Sequence, residues 1–362
     1  MTTLYSYQEL YKFAYNIFLA IGCDPMDAEQ ATKTLLSADL RGVDSHGIAR
    51  LIGYVRLWES KRVNPKPEIK VVHETPSTAV IDGDSGLGLV VGPQAMKLAM
   101  QKAENVGTGW VAVKNSNHYG IAGYHSMMAL EKDMIGFSFT NASPLVAPTY
   151  GKERMLGTNP ISVAIPTNKE TPFIADMATT TAANGKLEIL QRKNQEAPLG
   201  WVQDQDGNQT TDPEAVKSGG ALLPLGGSPE NAGHKGYILG SIVDILSGVL
   251  SGANYGPWVP PFVSFLPVSD NPVGEGLGHF FGAMRVDAFR PKEDFLNHMD
   301  NWIKRFRETN PIDSKNQVKI PGDPEREFEK ERSVNGIPLL QPVVDSLKVL
   351  SEKLDVELPE AK

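Results

Sequence analysis

The sequence predicts a mixed α/β (α+β) fold whose two ends are helical, and three observations predict it. Apolar residues recur at helical spacing over the first 70 residues. Short β-branched or apolar runs bounded by Gly, Pro and Asn fill roughly 71–290, with helical patterns between some of them. Helical periodicity returns beyond 291. These changes divide the chain into a helical unit at 1–72, a central unit at 73–290 and a helical segment at 291–362.

The first helix is announced by a capping box, Ser6-x-x-Glu9, followed by Leu10, Phe13, Ile17 and Ile21. Asp24-Pro25 starts a second, with Asp as N-cap and Pro at the first position. A third is expected from about His46, capped by Ser45. In the centre, "IKVVHE", "STAVIDG", "GWVAVKN", "IGFSFTNA", "ISVAIPT" and "PFIADMA" read as strands. "GPQAMKLAMQKAENVG" and "GIAGYHSMMALEKDM" read as helices. The Gly/Pro/Asp-rich stretches 201–220 and 252–276 read as long loops.

Composition narrows the function. The 362 residues carry 35 Lys plus Arg against 43 Asp plus Glu, a net charge of −8. Without a basic block, neither nucleic acid nor an anionic membrane is an expected partner. A single cysteine, Cys23, forms no intramolecular disulfide and anchors no cysteine metal site. Gln8, Glu9 and Lys12 interrupt the N-terminal apolar residues, so no secretory leader is expected. The most apolar stretch, 237–252, is too short to span a bilayer and carries Asp244 at its middle. The expectation is a soluble cytoplasmic protein. No H-E-x-x-H, no G-x-S-x-G and no Walker A loop occurs, and no metal is expected. "GLGLVVG" and "GEGLGHFFG" are each one residue longer than the Rossmann glycine pattern.

Three stretches carry chemistry. In "RGVDSHGIARLIGY", His46, Arg50 and Tyr54 follow at i, i+4 and i+8, opposite an apolar stripe of Ile48, Leu51, Ile52, Val55 and Trp58. With Ser45 they can hold a small carboxylate, although a solvated helix face is the commoner use of such a pattern. In "WVAVKNSNHYGIAGYH", His118 follows a strand and precedes a helix. There an imidazole can exchange a proton near neutral pH, or simply bond the turn. In 156–186, Asp176 ends a strand and opens a run of small residues reaching Gly185-Lys186, which lets backbone approach phosphates.

Together these motifs resemble the malate/L-lactate dehydrogenase family of NAD(P)-dependent oxidoreductases, which lacks a Rossmann fold. "RGVDSHGIARLIGY", "NSNHYGIAGY", "GTNPISVAIP", "ADMATTTAANGK", "HKGYILGSIVDILSGVLSG" and "IPGDPE" occur in the family's order from residue 41 to about 325. The resemblance implies a large, mostly antiparallel central sheet, a helical domain built from both chain ends, and a homodimer. It implies hydride transfer between NAD, or NADP, and a small 2-oxo or 2-hydroxy acid, malate/oxaloacetate or lactate-like. Some members instead reduce a cyclic imine or a keto sugar acid. By the same resemblance Ser45, Arg50, Tyr54, Thr158 and Asn159 face the substrate. His118 is the first choice for acid/base, His46 the second, and Asp176 orients a histidine. His118, Pro160, Ile174, Ala175, Asp176, Met177, Ala178, Lys235, Gly236, Gly322, Asp323 and Pro324 contact the cofactor. Three departures stand out: extra residues before Lys235, a long loop near 257–276, and Ala142 where some members have a serine.

Overall fold

The structure, a computed structural model, describes residues 2–313 and 315–362. The chain opens with β1 (Thr2–Tyr5), α1 (Tyr7–Ala20) and α2 (Pro25–Leu40). Ser6 caps α1 as its sequence predicts, its Oγ accepting the Glu9 N–H at 3.1 Å. Asp24 stands at the N-cap of α2 with Pro25 behind it, but its side chain makes no cap bond and pairs with Lys66 instead. A 3₁₀ turn, Ile48–Arg50, leads into α3 (Leu51–Glu59).

The middle of the chain runs β2 (Lys70–Glu74), β3 (Thr78–Asp82), α4 (Gly88–Val106), β4 (Thr108–Ser116), α5 (Ala122–Met127), β5 (Met134–Thr140), β6 (Ile161–Ile165) and β7 (Phe173–Met177). Then follow α6 (Asn184–Arg192), the two-residue strands β8 (Val202–Gln203), β9 (Gln209–Thr210) and β10 (Ala221–Leu222), α7 (Gly233–Asp244) and β11 (Leu277–Arg285). The chain closes with α8 (Lys292–Arg307), α9 (Asp323–Asn335), β12 (Ile337–Leu340) and α10 (Gln341–Leu354).

Seven strands form the central sheet in the order β2-β3-β4-β11-β5-β6-β7. Only β3 and β4 run parallel, and α4 makes that crossover. The large, mostly antiparallel sheet is therefore as the resemblance implied. "GLGLVVG" is no nucleotide loop. It starts α4, and Gly88 lets that helix press on the carbonyls of Asn117 and His118, where any Cβ would clash. "GEGLGHFFG" lies mostly on β11, where Gly278 admits the Ser247 carbonyl.

Both chain ends share one core. Leu10, Phe13, Ile17, Phe18, Leu35, Leu51 and Tyr54 pack with Ile337, Val344, Leu347 and Leu350. β1 pairs with β12 from Thr2↔Leu340 to Tyr5↔Ile337, which ties the ends. Each fully buried large side chain contributes about 1.5–3 kcal/mol, so this non-local cluster fixes α3 within the helical unit built from both chain ends. α8 packs elsewhere, along the sheet edge. There the Asp300 carboxylate accepts the N–H groups of Asn168, Lys169 and Glu170, and Trp302 meets Phe173.

One expectation fails. Residues 201–220 are not all loop, because β10-β8-β9 form a small antiparallel sheet. Strands of two residues are too short to show an alternating pattern. Their order comes from burial of Val202, Val216 and Leu222 against Leu145 and Leu187.

Candidate active site

The site lies where α3 meets the carboxyl end of β4. Residues 115–121 leave β4 through a turn and enter α5, and two glycines shape the approach. Gly120 adopts φ +81°, which an L side chain rarely takes. Gly123 admits the Asp176 carboxylate, whose Oδ2 accepts its N–H at 2.8 Å.

His118 sits in a ring of aromatic side chains. Its ring centroid lies 4.5 Å from Phe262, 5.7 Å from Tyr54 and 5.7 Å from His46, with the two imidazoles stacked at 22°. Nδ1 lies 2.6 Å from Tyr54 Oη and 3.4 Å from the Gly120 amide nitrogen. Burial, with the neighbouring His46, Arg50 and His279, holds His118 well below the ordinary histidine range. Burial and then Arg50 hold His46 down to about 4. Both imidazoles are therefore neutral at pH 7.

The 44–50 loop differs from its sequence reading. Ser45 is not the helix cap, for the helical turn begins at Ile48 after Gly47. The buried Asp39 carboxylate, from α2, accepts the Ile48 N–H at 2.6 Å and takes the cap's place. Desolvation lifts Asp39 to about 8, opposed by that N–H. Ser45 Oγ instead lies 2.9 Å from His46 Nδ1, and the Ser45 carbonyl accepts Arg50 Nε–H. Arg50 also faces Glu188 of α6 at 3.7 Å. Tyr54 is fully buried rather than on a polar stripe, and its hydroxyl meets His118.

Asp176 does not orient a histidine here. His118 Nδ1 is engaged by Tyr54, and the Asp176 carboxylate lies on the first turn of α5. Asn159 is also committed to the scaffold. It is fully buried, its Oδ1 accepting the Ala142 N–H at 3.1 Å and its Nδ2 donating to Gly240 O at 2.9 Å. Thr158 and Pro160 flank it, half-buried.

The residues expected to hold a cofactor gather at the β7 edge. Ile174 is buried, Ala175 and Ala178 are half-buried, and Asp176 and Met177 open outward. The Ile174 N–H donates to Pro321 O, which docks the Gly322 turn on that edge. The Gly322 turn has φ +98° and Ile174 against its Cα side. Asp323 is held by Arg307, Arg326 and the Ile320 N–H, with Pro324 beginning α9. Lys235, at the start of α7, is exposed and makes no ion pair among the described residues. Gly236 lets α7 press on the Leu225 backbone. These residues fit a dinucleotide: an unpaired cation at a helix start suits a pyrophosphate, and an edge strand with outward backbone suits an extended ligand.

Two residues escaped the sequence reading. Phe262, in the loop after Pro260-Pro261, caps His118 and meets Tyr54 at 5.2 Å. Its only signal is an aromatic residue in a proline-rich loop. Glu188 was indistinguishable from any acidic residue on an amphipathic helix. Gly185 brings α6 against Ser45, where a Cβ would stand 2.7 Å from the serine Cβ.

A pair of imidazoles beside a guanidinium has the chemistry to exchange a proton with a small acid and pair its carboxylate. The comparisons agree. The family model for malate/L-lactate dehydrogenase matches residues 5–348. The malate dehydrogenase of Pyrococcus horikoshii is 44% identical over 349 residues, covering 96% of this chain and 94% of the relative. The L-sulfolactate dehydrogenase of Methanocaldococcus jannaschii is 39% identical over 348 residues, covering 96% of each. The crystal structure of malate dehydrogenase from Entamoeba histolytica superposes with a TM-score of 0.92 at 34% identity, covering 99% of this chain and 100% of that one. The chain belongs to the malate/L-lactate dehydrogenase family: it is a 2-hydroxyacid dehydrogenase that works with a nicotinamide cofactor. Among the described residues no helix is long and apolar enough to cross a membrane.

Proposed function

We propose that the chain interconverts malate and oxaloacetate with NAD, in the cytoplasm, as a homodimer. The observation that carries the reading is His118, a half-buried neutral imidazole stacked on His46, against Phe262 and bonded to Tyr54, with Arg50 at hand. The nicotinamide supplies the hydride acceptor or donor. Arg50 grips the substrate's carboxylate, with Ser45 at its side, and fixes the reacting carbon. His118 exchanges the proton of the 2-oxygen, with His46 the second candidate. Phe262 and Tyr54 keep water from the imidazole. Thr158 and Pro160 border the cleft. Ile174 to Ala178, Lys235, Gly236 and the turn at Gly322, Asp323 and Pro324 hold the cofactor. Arg307 and Arg326, beside that turn, are already paired with Glu170 and Asp323, which favours NAD over its 2′-phosphorylated form.

The test of the reaction is loss of NADH absorbance driven by oxaloacetate. The dimer rests on a different surface. α7 and the π-helical turn Ile245–Val249 present Ile238, Ile242, Ile245, Val249 and Leu250 outward, each 45–57% exposed. A contiguous apolar face of this kind marks an interaction surface. Sedimentation is expected to give a two-chain mass for the native protein and a one-chain mass for Ile242→Glu. A native one-chain mass would contradict the dimer.

A further inference from the structure

Tyr54 was expected to touch substrate, yet nothing of its side chain is exposed. Its ring packs 6.4 Å from Phe18 and 5.2 Å from Phe262, which aims Oη at His118 Nδ1 across 2.6 Å. A phenol whose only reachable imidazole atom is Nδ1 acts on that imidazole. We propose that Tyr54 is a positioning residue: it donates its O–H to Nδ1 of His118 and so holds the free enzyme's imidazole in the tautomer with the proton on Nε2. This rests on the reading of His118 as the acid/base.

The direction of the bond follows from the groups around Nδ1. The Gly120 amide, 3.4 Å away, can only donate. A nitrogen facing a backbone N–H presents its lone pair, so the phenol also donates. The phenol keeps its proton, since burial pushes Tyr54 above its ordinary value. A neutral imidazole carries one proton, and with Nδ1 accepting, that proton is on Nε2. There it is a donor for the keto oxygen of a 2-oxo acid, oriented before substrate arrives.

A hydrogen bond donated to the neutral imidazole stabilises that form and lowers the histidine's pKa. Removing the hydroxyl therefore has a signed consequence. In Tyr54→Phe the ring packing survives and the donor is lost. Nitrogen-15 NMR of the free protein, with His118→Asn to assign the signal, is expected to show the Nε2–H tautomer in the native chain. It is expected to show a mixture of tautomers in Tyr54→Phe. The acid limb of kcat/KM for 2-hydroxy acid oxidation is expected to move to higher pH, and kcat to fall about 10-fold to 100-fold, within the range of general acid–base effects. A merely structural Tyr54 would lower the melting temperature and leave tautomer and pH limb in place. That result overturns the proposal, as does an Nδ1–H tautomer in the native chain. Failure of the underlying reading is distinguishable. His118→Ala with near-normal turnover would refute the acid/base assignment while leaving the tautomer result intact.

Discussion

Replacing His118 by Ala is expected to lower kcat about 100-fold to 10,000-fold, the share a positioned acid/base contributes, while cofactor affinity holds. The imidazole stacks on His46, lies against Phe262 and bonds Tyr54. Apart from His118 itself and Pro160, the residues expected at the cofactor lie along β7, α7 and the Gly322 turn. Truncation therefore removes proton exchange and leaves the contacts from β7, α7 and the Gly322 turn in place. Steady-state kcat and NADH fluorescence titration separate the two effects. Near-normal turnover in His118→Ala, together with loss in His46→Ala, would exchange the two histidines' roles. His46 lies 2.9 Å from Ser45 Oγ through Nδ1 and stacks on His118, which places it to take over.

Arg50→Ala is expected to cost about 30-fold to 4,000-fold in kcat/KM, with most of it in KM for the acid. The range is that of a buried charge pair broken on one side, about 2–5 kcal/mol. The guanidinium is held by the Ser45 carbonyl and faces Glu188, so it arrives oriented rather than mobile. Arg50→Lys restores the charge but not the planar fork, and is expected to recover only part of the loss. Measuring KM and kcat separately is decisive. A fall in kcat at unchanged KM would mean that Arg50 does not bind the substrate's carboxylate.

Much of this site is legible in short motifs, and the rest is not, for physical reasons. Ser6-x-x-Glu9 and Asp24-Pro25 mark helix starts because capping is local chemistry. The proximity of His46, Arg50 and Tyr54 follows from helical spacing, but the direction of each side chain does not. Asp39 caps the turn at Ile48 from the preceding helix, nine residues away in sequence, so Ser45 loses the role its type suggests. Tyr54 turns inward because α1 and the 260s loop supply Phe18 and Phe262 for it to pack on. Asn159 has the composition of a ligand-binding residue, yet it bonds the Ala142 amide and the Gly240 carbonyl inside the scaffold. Contacts of this kind join segments tens to hundreds of residues apart, and no local pattern encodes them. The antiparallel order of the sheet was reached through resemblance alone, since β11 enters between β4 and β5 from more than 130 residues downstream.

The central claim is that this cleft reduces a small 2-oxo acid with a nicotinamide cofactor. The most direct test is to follow NADH and NADPH oxidation by the purified chain against oxaloacetate, pyruvate, sulfopyruvate, diketogulonate and piperideine carboxylate in parallel. Rapid NADH-dependent turnover of oxaloacetate is the predicted result. Turnover only of the cyclic imine or the keto sugar acid, or silence across the panel without cofactor binding, would contradict it.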